Sequence, residues 1–252
     1  MGSYGAGFTL NDGVIVEAEK SEKNKIIFNN KPINFPALKS VIKKLTNKKL
    51  KINIKSKLPL GCGFGLSGAS ALAGAYAINK LLNLKKAKKE LGIIAHTADA
   101  ESRTGLGDVV NQYYGGFCLK LKPSSHFEVR KIPLNNINVY CKYFSKISTK
   151  SVITNTKIKN KINDAADESL RKIKELLKSN GNIKLKGIIG ISKDFSLKSG
   201  LLKDRQTIET ISKIEKNNGN ASMIMLGNAV FSDRTFKGAL KFKISGESAH
   251  LL

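Results

Sequence analysis

Residues 50–55 alternate without exception, with Leu50, Ile52 and Ile54 on one face and Lys51, Asn53 and Lys55 on the other. That period of two predicts a half-buried strand. The strand feeds directly into residues 57–70, where Gly61, Gly63 and Gly65 stand at every second position ahead of the small residues Gly68, Ala69 and Ser70. Residues 69–84 are alanine-rich and apolar nearly all round until Asn79, as expected of a buried helix. The predicted order is strand, glycine loop, helix. A second helix over 86–101 carries Leu91, Ile94, Ala95 and Ala98 at helical spacing, and Gly105 and Gly107 break the pattern within 103–108.

Residues 115–121 and 127–132 read as paired strands joined across 122–126, and 139–144 as another strand. The longest helical pattern is 157–179, striped by Ile158, Ile162, Ala165, Leu170, Ile173 and Leu176, and it ends at 180–182. Helices near 186–195 and 206–216 follow, then strands at 221–226, 229–232 and 240–244, the last alternating Leu240, Phe242 and Ile244 against Lys241 and Lys243. A polar Ser/Lys/Thr stretch at 145–150 shifts the composition just before the long helix, which predicts two domains of α+β character, 1–146 and 147–252.

At 252 residues and 41% hydrophobic content the chain can bury a substantial core, so disorder, collagen and coiled coil are excluded for the chain as a whole. The formal charge of +25 raises nucleic acid or an anionic membrane as partners. The kind of base argues otherwise. Only Arg103, Arg130, Arg171, Arg205 and Arg234 are arginines, the other 39 bases are lysines, and 22 asparagines accompany them along the chain. Specific recognition of bases and phosphates relies on the bidentate guanidinium, whereas dispersed lysines mostly solvate a surface. Cys62, Cys118 and Cys141 are too widely spaced for a disulfide framework or a zinc site. With no long apolar run and no basic-then-apolar leader, a cytoplasmic protein without a membrane anchor is expected.

Three segments offer chemistry. The glycines of 61–65 allow backbone N–H groups to converge on an anion at the positive end of the following helix, with Ser67 and Ser70 able to bond a phosphate oxygen or Mg²⁺. Alternatively, the loop is only a tight strand-to-helix connection and the serines are caps. Asp108, shown off by Thr104, Gly105 and Gly107, could take a proton from an alcohol attacking phosphorus, or could simply cap residues 109–113. Asp99 shares a helical face with His96, and either Asp99 or Glu101 suits a hard cation, although a solvated helix face would look the same. Residues 217–228 read as a polar turn running into an apolar strand.

Together these segments resemble the motif regions of the GHMP kinase superfamily, whose members move the γ-phosphoryl of ATP onto small molecules. Within it the chain resembles archaeal pantoate kinases, on Gly61 to Leu72, on Thr104 to Val110 with Gln112 to Gly116, on Ile147 to Val152 and on Ala221 to Asn228, while Gly2 to Gly7 resembles a Gly-Ser-Arg-Gly-Ala-Gly segment of the same enzymes. The resemblance implies an N-terminal domain like domain 2 of ribosomal protein S5, a ferredoxin-like C-terminal domain, and ATP and acceptor in a cleft between them. It also implies roles. Pro59, Gly61, Cys62, Gly63, Phe64, Gly65, Leu66, Ser67, Gly68, Ala69 and Ser70 would wrap ATP. Ser67 with Asp99 or Glu101 would hold Mg²⁺, and Asp108 would orient or deprotonate the primary hydroxyl of pantoate. Tyr4, Thr104, Gly105, Lys120, Ala221 and Ser222 would contact the acceptor.

The product would be 4-phosphopantoate, an early intermediate of coenzyme A synthesis, and a homodimer is implied. The sequence departs from the family in three places. It starts after the family's first strand and its Pro-Gly-His-type motif, which implies either a gene start placed too late or a missing edge strand. Tyr4 and Lys120 stand where the family carries arginine, keeping charge at 120 but losing the bidentate grip. The competing expectations are a GHMP kinase for another small alcohol, or a catalytically silent basic protein that binds nucleotide or nucleic acid.

Overall fold

The computed structural model describes residues 2–178 and 183–252. The chain forms two compact units, one made of Met1–Pro59, Gly65–Lys131 and Ser245–Leu252, the other of Leu60–Phe64 and Ile132–Ile244.

The first unit contains β1 (Gly5–Phe8), β2 (Ile15–Lys20), β3 (Lys25–Phe28), β4 (Lys31–Pro32), α1 (Pro36–Leu45), β5 (Leu50–Lys55), α2 (Leu66–Leu82), α3 (Lys88–Glu101), α4 (Asp108–Tyr114) and β6 (Phe117–Lys120), with β7 (Arg130–Ile132) at its edge. The alternating strand is β5, the centre of a sheet ordered β2-β5-β3-β4, antiparallel to β2 and parallel to β3. Leu50, Ile52 and Ile54 are all buried, so the period of two marks the inward face correctly. The parallel β3–β5 step needs a crossover, and α1 supplies it, starting on Pro36 and burying Ala37, Leu38, Val41, Ile42 and Leu45 as one stripe. Each large aliphatic side chain buried in this way contributes ~1.5–3 kcal/mol. Helices α1, α2 and α3 pack on one another, and β1, β6 and β7 form a second, three-stranded sheet in which Gly5 pairs with Lys120.

The second unit contains β8 (Asn138–Lys146), α5 (Thr149–Ile153), α6 (Thr156–Lys178), α7 (Leu185–Lys198), α8 (Arg205–Lys216), β9 (Ala221–Met223), β10 (Gly227–Ser232) and β11 (Leu240–Lys243). Its antiparallel sheet is ordered β11-β8-β10-β9. Among the described residues of this unit, four helices fall between β8 and β9, and the β10–β11 connection carries none.

The strand expected at 139–144 thus belongs with the second unit, because its partners are β10 and β11. The composition shift at 145–150 is a strand-to-helix junction, where the Ser148 side chain accepts from the Ser151 N–H to cap α5. The strand expected at 221–226 stops at Met223 and turns, with Leu226 at φ 61. The expected helix end at 179–182 lies outside the described residues. Among the described residues no helix is long and apolar enough to cross a membrane.

Candidate active site

Gly61, Gly63 and Gly65 all take left-handed backbone, with φ of 80°, 84° and 65°. An L side chain at any of them would be strained, which is the physical content of the alternating glycines. Gly61 and Gly63 belong to the second unit, where the Gly61 carbonyl accepts from the Ile147 N–H at 3.1 Å. Gly65 belongs to the first and caps α2 without any side-chain bond to the helix's first N–H groups. Those donors are the ones a helix N-terminus leaves unpaired, the usual anion-binding groups. The Gln112 amide donates to the Gly65 carbonyl at 2.9 Å and fixes the start of α2 beside α4.

The end of α3 comes to the same place. Arg103 takes left-handed backbone at φ 57, so the chain doubles back and the Thr104 N–H reaches the Asp99 carbonyl at 3.1 Å. The Thr104 hydroxyl donates to Asp99 Oδ1 at 2.6 Å, and the Ser67 hydroxyl donates to the same oxygen at 2.8 Å. Asp99 is buried, and its other oxygen, Oδ2, has no hydrogen-bond partner. Gly105 separates this oxygen from Asp108. A Cβ there would overlap Asp99 Oδ2 and lie 3.0 Å from Asp108 Oδ2.

Burial, and next the charge of Asp108, push the Asp99 carboxyl up to about 6, against the hydrogen bonds from Thr104 and Ser67. Burial also pushes Asp108 up, opposed by Lys120 and His96. Lys120 is pushed down by burial, opposed by Asp108. Two carboxylates and an ammonium thus share one poorly solvated spot. The orphaned oxygen of Asp99 beside the Ser67 hydroxyl is a hard-oxygen donor set of the kind Mg²⁺ accepts, so these two residues fit the metal.

Residues 33–116 match the GHMP kinases N terminal domain. A pantoate kinase from Methanocaldococcus jannaschii is 37% identical over 235 residues, covering 91% of this chain and 83% of that one. The chain belongs to the GHMP kinase family, on its pantoate kinase branch. A second pantoate kinase, from Methanospirillum hungatei, is 29% identical over 240 residues, covering 92% of this chain and 78% of that protein. The solved structure "Phosphotransferase related to CoA biosynthesis pathway" superposes with a TM-score of 0.80 at 24% identity, covering 98% of this chain and 88% of that one, and so shares the fold.

In this GHMP kinase the structure brings Ser67, Asp99, Thr104, Gly105, Asp108 and Lys120 together. It does not bring Glu101, whose side chain is exposed and ion-pairs with Lys44 at 2.9 Å. Two residues along a helix is more than half a turn, so Glu101 faces away from Asp99. Ala221 and Ser222 are both buried within the second unit, and Ser222 shares a hydroxyl contact of 3.0 Å with Ser192, so neither side chain is offered to an acceptor. Tyr4 is 53% exposed, and its neighbour Ser3 is the one near the site, since a Cβ at Gly107 would lie 2.5 Å from Ser3 Oγ and 3.1 Å from Lys120 Cε. Of the loop residues, Cys62, Leu66, Gly68 and Ser70 are buried, while Pro59, Phe64, Ser67 and Ala69 are half-buried. Sequence reasoning missed Asn111, which accepts a hydrogen bond from Lys120 Nζ at 2.9 Å. The signal for it was its place one helical turn after Asp108.

Proposed function

We propose that this GHMP kinase transfers the γ-phosphoryl group of ATP to the primary hydroxyl of pantoate, giving 4-phosphopantoate and ADP for coenzyme A synthesis in the cytoplasm. The observation that carries the reading is the half-buried carboxylate of Asp108 packed beside the uncapped start of α2, within electrostatic reach of the buried Lys120 ammonium. The names of the relatives supply the acceptor.

In this reading Asp108 accepts the hydroxyl proton as oxygen attacks the γ-phosphorus, and the bond from that phosphorus to ADP breaks. Burial raises the basicity of Asp108 above that of an ordinary aspartate, and the charges of Lys120 and His96 oppose that rise. Lys120 also provides positive charge for the acceptor's carboxylate, as a point charge in place of a guanidinium fork. The first-turn N–H groups of α2, entered through Gly65, take the phosphates. Ser67 and Asp99 would hold Mg²⁺, which neutralises phosphate charge when bound. Phosphoryl transfer gains chiefly from positioning and charge neutralisation, so no covalent intermediate with the protein is needed.

The test is ADP release from purified protein with ATP, Mg²⁺ and one acceptor at a time. Pantoate should support turnover, whereas mevalonate, homoserine and shikimate should not. Asp108→Asn should abolish turnover while the protein still folds cooperatively, and a fully active Asp108→Asn would remove the proton-accepting role.

A further inference from the structure

A lysine ammonium on a four-carbon stem has no fixed direction of its own, so a lysine serving a small acceptor must be held from outside. Lys120 is only 4% exposed, at the end of β6, and its Nζ donates to Asn111 Oδ1 at 2.9 Å. Asn111 follows Asp108 by three residues on α4, so both side chains leave one face of the helix, and the ammonium that bonds Asn111 is within electrostatic reach of Asp108. The asparagine is itself 8% exposed and is backed by β1. A Cβ added at Gly7 would overlap Asn111 Nδ2 and lie 3.0 Å from its Cγ. On the other side a Cβ at Gly107 would lie 3.3 Å from Lys120 Nζ. The head of Lys120 thereby lies between Gly107 and the Asn111 amide, which is itself backed by Gly7.

We propose that Asn111 is a positioning residue for phosphoryl transfer: its amide oxygen, braced against Gly7, holds the Lys120 ammonium beside Asp108 and leaves its remaining N–H donors for the anionic acceptor. Neutrality at position 111 matters. A carboxylate there would hold Lys120 equally well but cancel the charge the acceptor needs, and an apolar residue would let the ammonium swing onto Asp108 and mask the base. The proposal rests on the pantoate reading for its ligand, but not for its geometry.

The test compares Asn111→Ala, Asn111→Asp, Lys120→Ala and the Asn111→Ala/Lys120→Ala double variant in the full chain. Kinetics give separate KM values for pantoate and ATP, and acylation by acetic anhydride without substrate, mapped by peptide mass spectrometry, reports the accessibility of Lys120. Asn111→Ala is expected to raise the pantoate KM about tenfold, as for loss of one hydrogen bond to a charged group, with the ATP KM unchanged. The double variant should be no worse than Lys120→Ala alone. Acylation of Lys120 should rise severalfold in Asn111→Ala and stay at the parent level in Asn111→Asp, whose pantoate KM nevertheless rises. An unchanged pantoate KM in Asn111→Ala, losses that multiply in the double variant, or unchanged Lys120 acylation would each overturn the proposal. If Asn111→Ala does not fold, Asn111→Asp decides, and exposed Lys120 in that variant overturns it. A parent enzyme inactive on pantoate would sink the acceptor reading, while the acylation arm would still decide whether Asn111 holds Lys120.

Discussion

Gly105→Ala is the most direct probe of the carboxylate pair. The added methyl would overlap Asp99 Oδ2, and would sit 3.1 Å from Asp99 Cγ and 3.0 Å from Asp108 Oδ2. The glycine's φ lies outside the left-handed region, so alanine suffers no backbone penalty and the effect reports crowding alone. Asp99 cannot retreat easily, because two hydroxyls grip its Oδ1 at 2.6 and 2.8 Å and the residue is buried. Overpacking of this kind costs ~1–3 kcal/mol. For a protein of this size that corresponds to a fall in Tm of roughly 2–10 °C. The larger effect should be on rate, since a displacement of ~1 Å at reacting groups costs ~10²-fold. The assay is coupled ADP release across a Mg²⁺ titration, with a thermal melt of the same preparation. A variant with parental kcat, Tm and Mg²⁺ dependence would refute the placement of Gly105 between the two carboxylates.

Three further outcomes follow from the same geometry. Because Asp99 has a folded pKa raised to about 6 from 3.8, the native state binds this proton more tightly than the unfolded chain, so its contribution to metal-free stability is full below about pH 4 and is lost as pH rises through about 6. Asp99→Asn should therefore gain up to ~3 kcal/mol in urea unfolding at neutral pH while losing turnover, and a less stable, metal-free Asp99→Asn would contradict the assignment. In the second unit, a Cβ at Gly227 would overlap the Cys62 carbonyl group and lie 2.6 Å from Gly63 N. Backbone cannot yield as a side-chain tip can, so Gly227→Ala should lose ~1–3 kcal/mol and raise the KM for ATP, and an unperturbed melt and KM would argue against that packing. Glu101→Gln should lose only a surface ion pair worth ~0–1 kcal/mol, with kcat and Mg²⁺ dependence intact, and a large loss of activity would restore Glu101 to the metal site.

Much of this arrangement was legible before any coordinates. Strand β5 announced itself through strict alternation, and the glycine loop through a spacing that three left-handed residues later justified. Asp108 stood out because glycines flank it. What stayed hidden depends on pairing between distant segments. The composition shift near Ser148 is genuine, but it marks a cap inside the second unit, because the partners of β8 are more than 80 residues further on in β10. The membership of Leu60–Phe64 in that unit is hidden for the same reason. Lys120 could be singled out from sequence, yet its meeting with Asn111 depends on where β6 ends relative to α4. The choice between Asp99 and Glu101 was more accessible. His96 and Asp99 lie three residues apart and are both buried, and that face of α3 excludes residue 101.

The proposed metal role bears on how a lysine-rich chain could favour a divalent cation at one point. Its net +25 lies mostly on exposed lysines, where solvent and salt screen it. Around Gly105 the local sign reverses. Asp99 is buried and Asp108 half-buried, and the nearby ammonium of Lys120 is already engaged by Asn111. In such surroundings each charge interacts far more strongly than at the surface. The carboxyl that lacks a nearby cation, Asp99, is the one driven toward protonation at about 6. A hard cation at Asp99 Oδ2 and the Ser67 hydroxyl would therefore stabilise the ionised form and the fold together. The electrostatic strain of the metal-free protein and the proposed affinity for Mg²⁺ would thus have the same source.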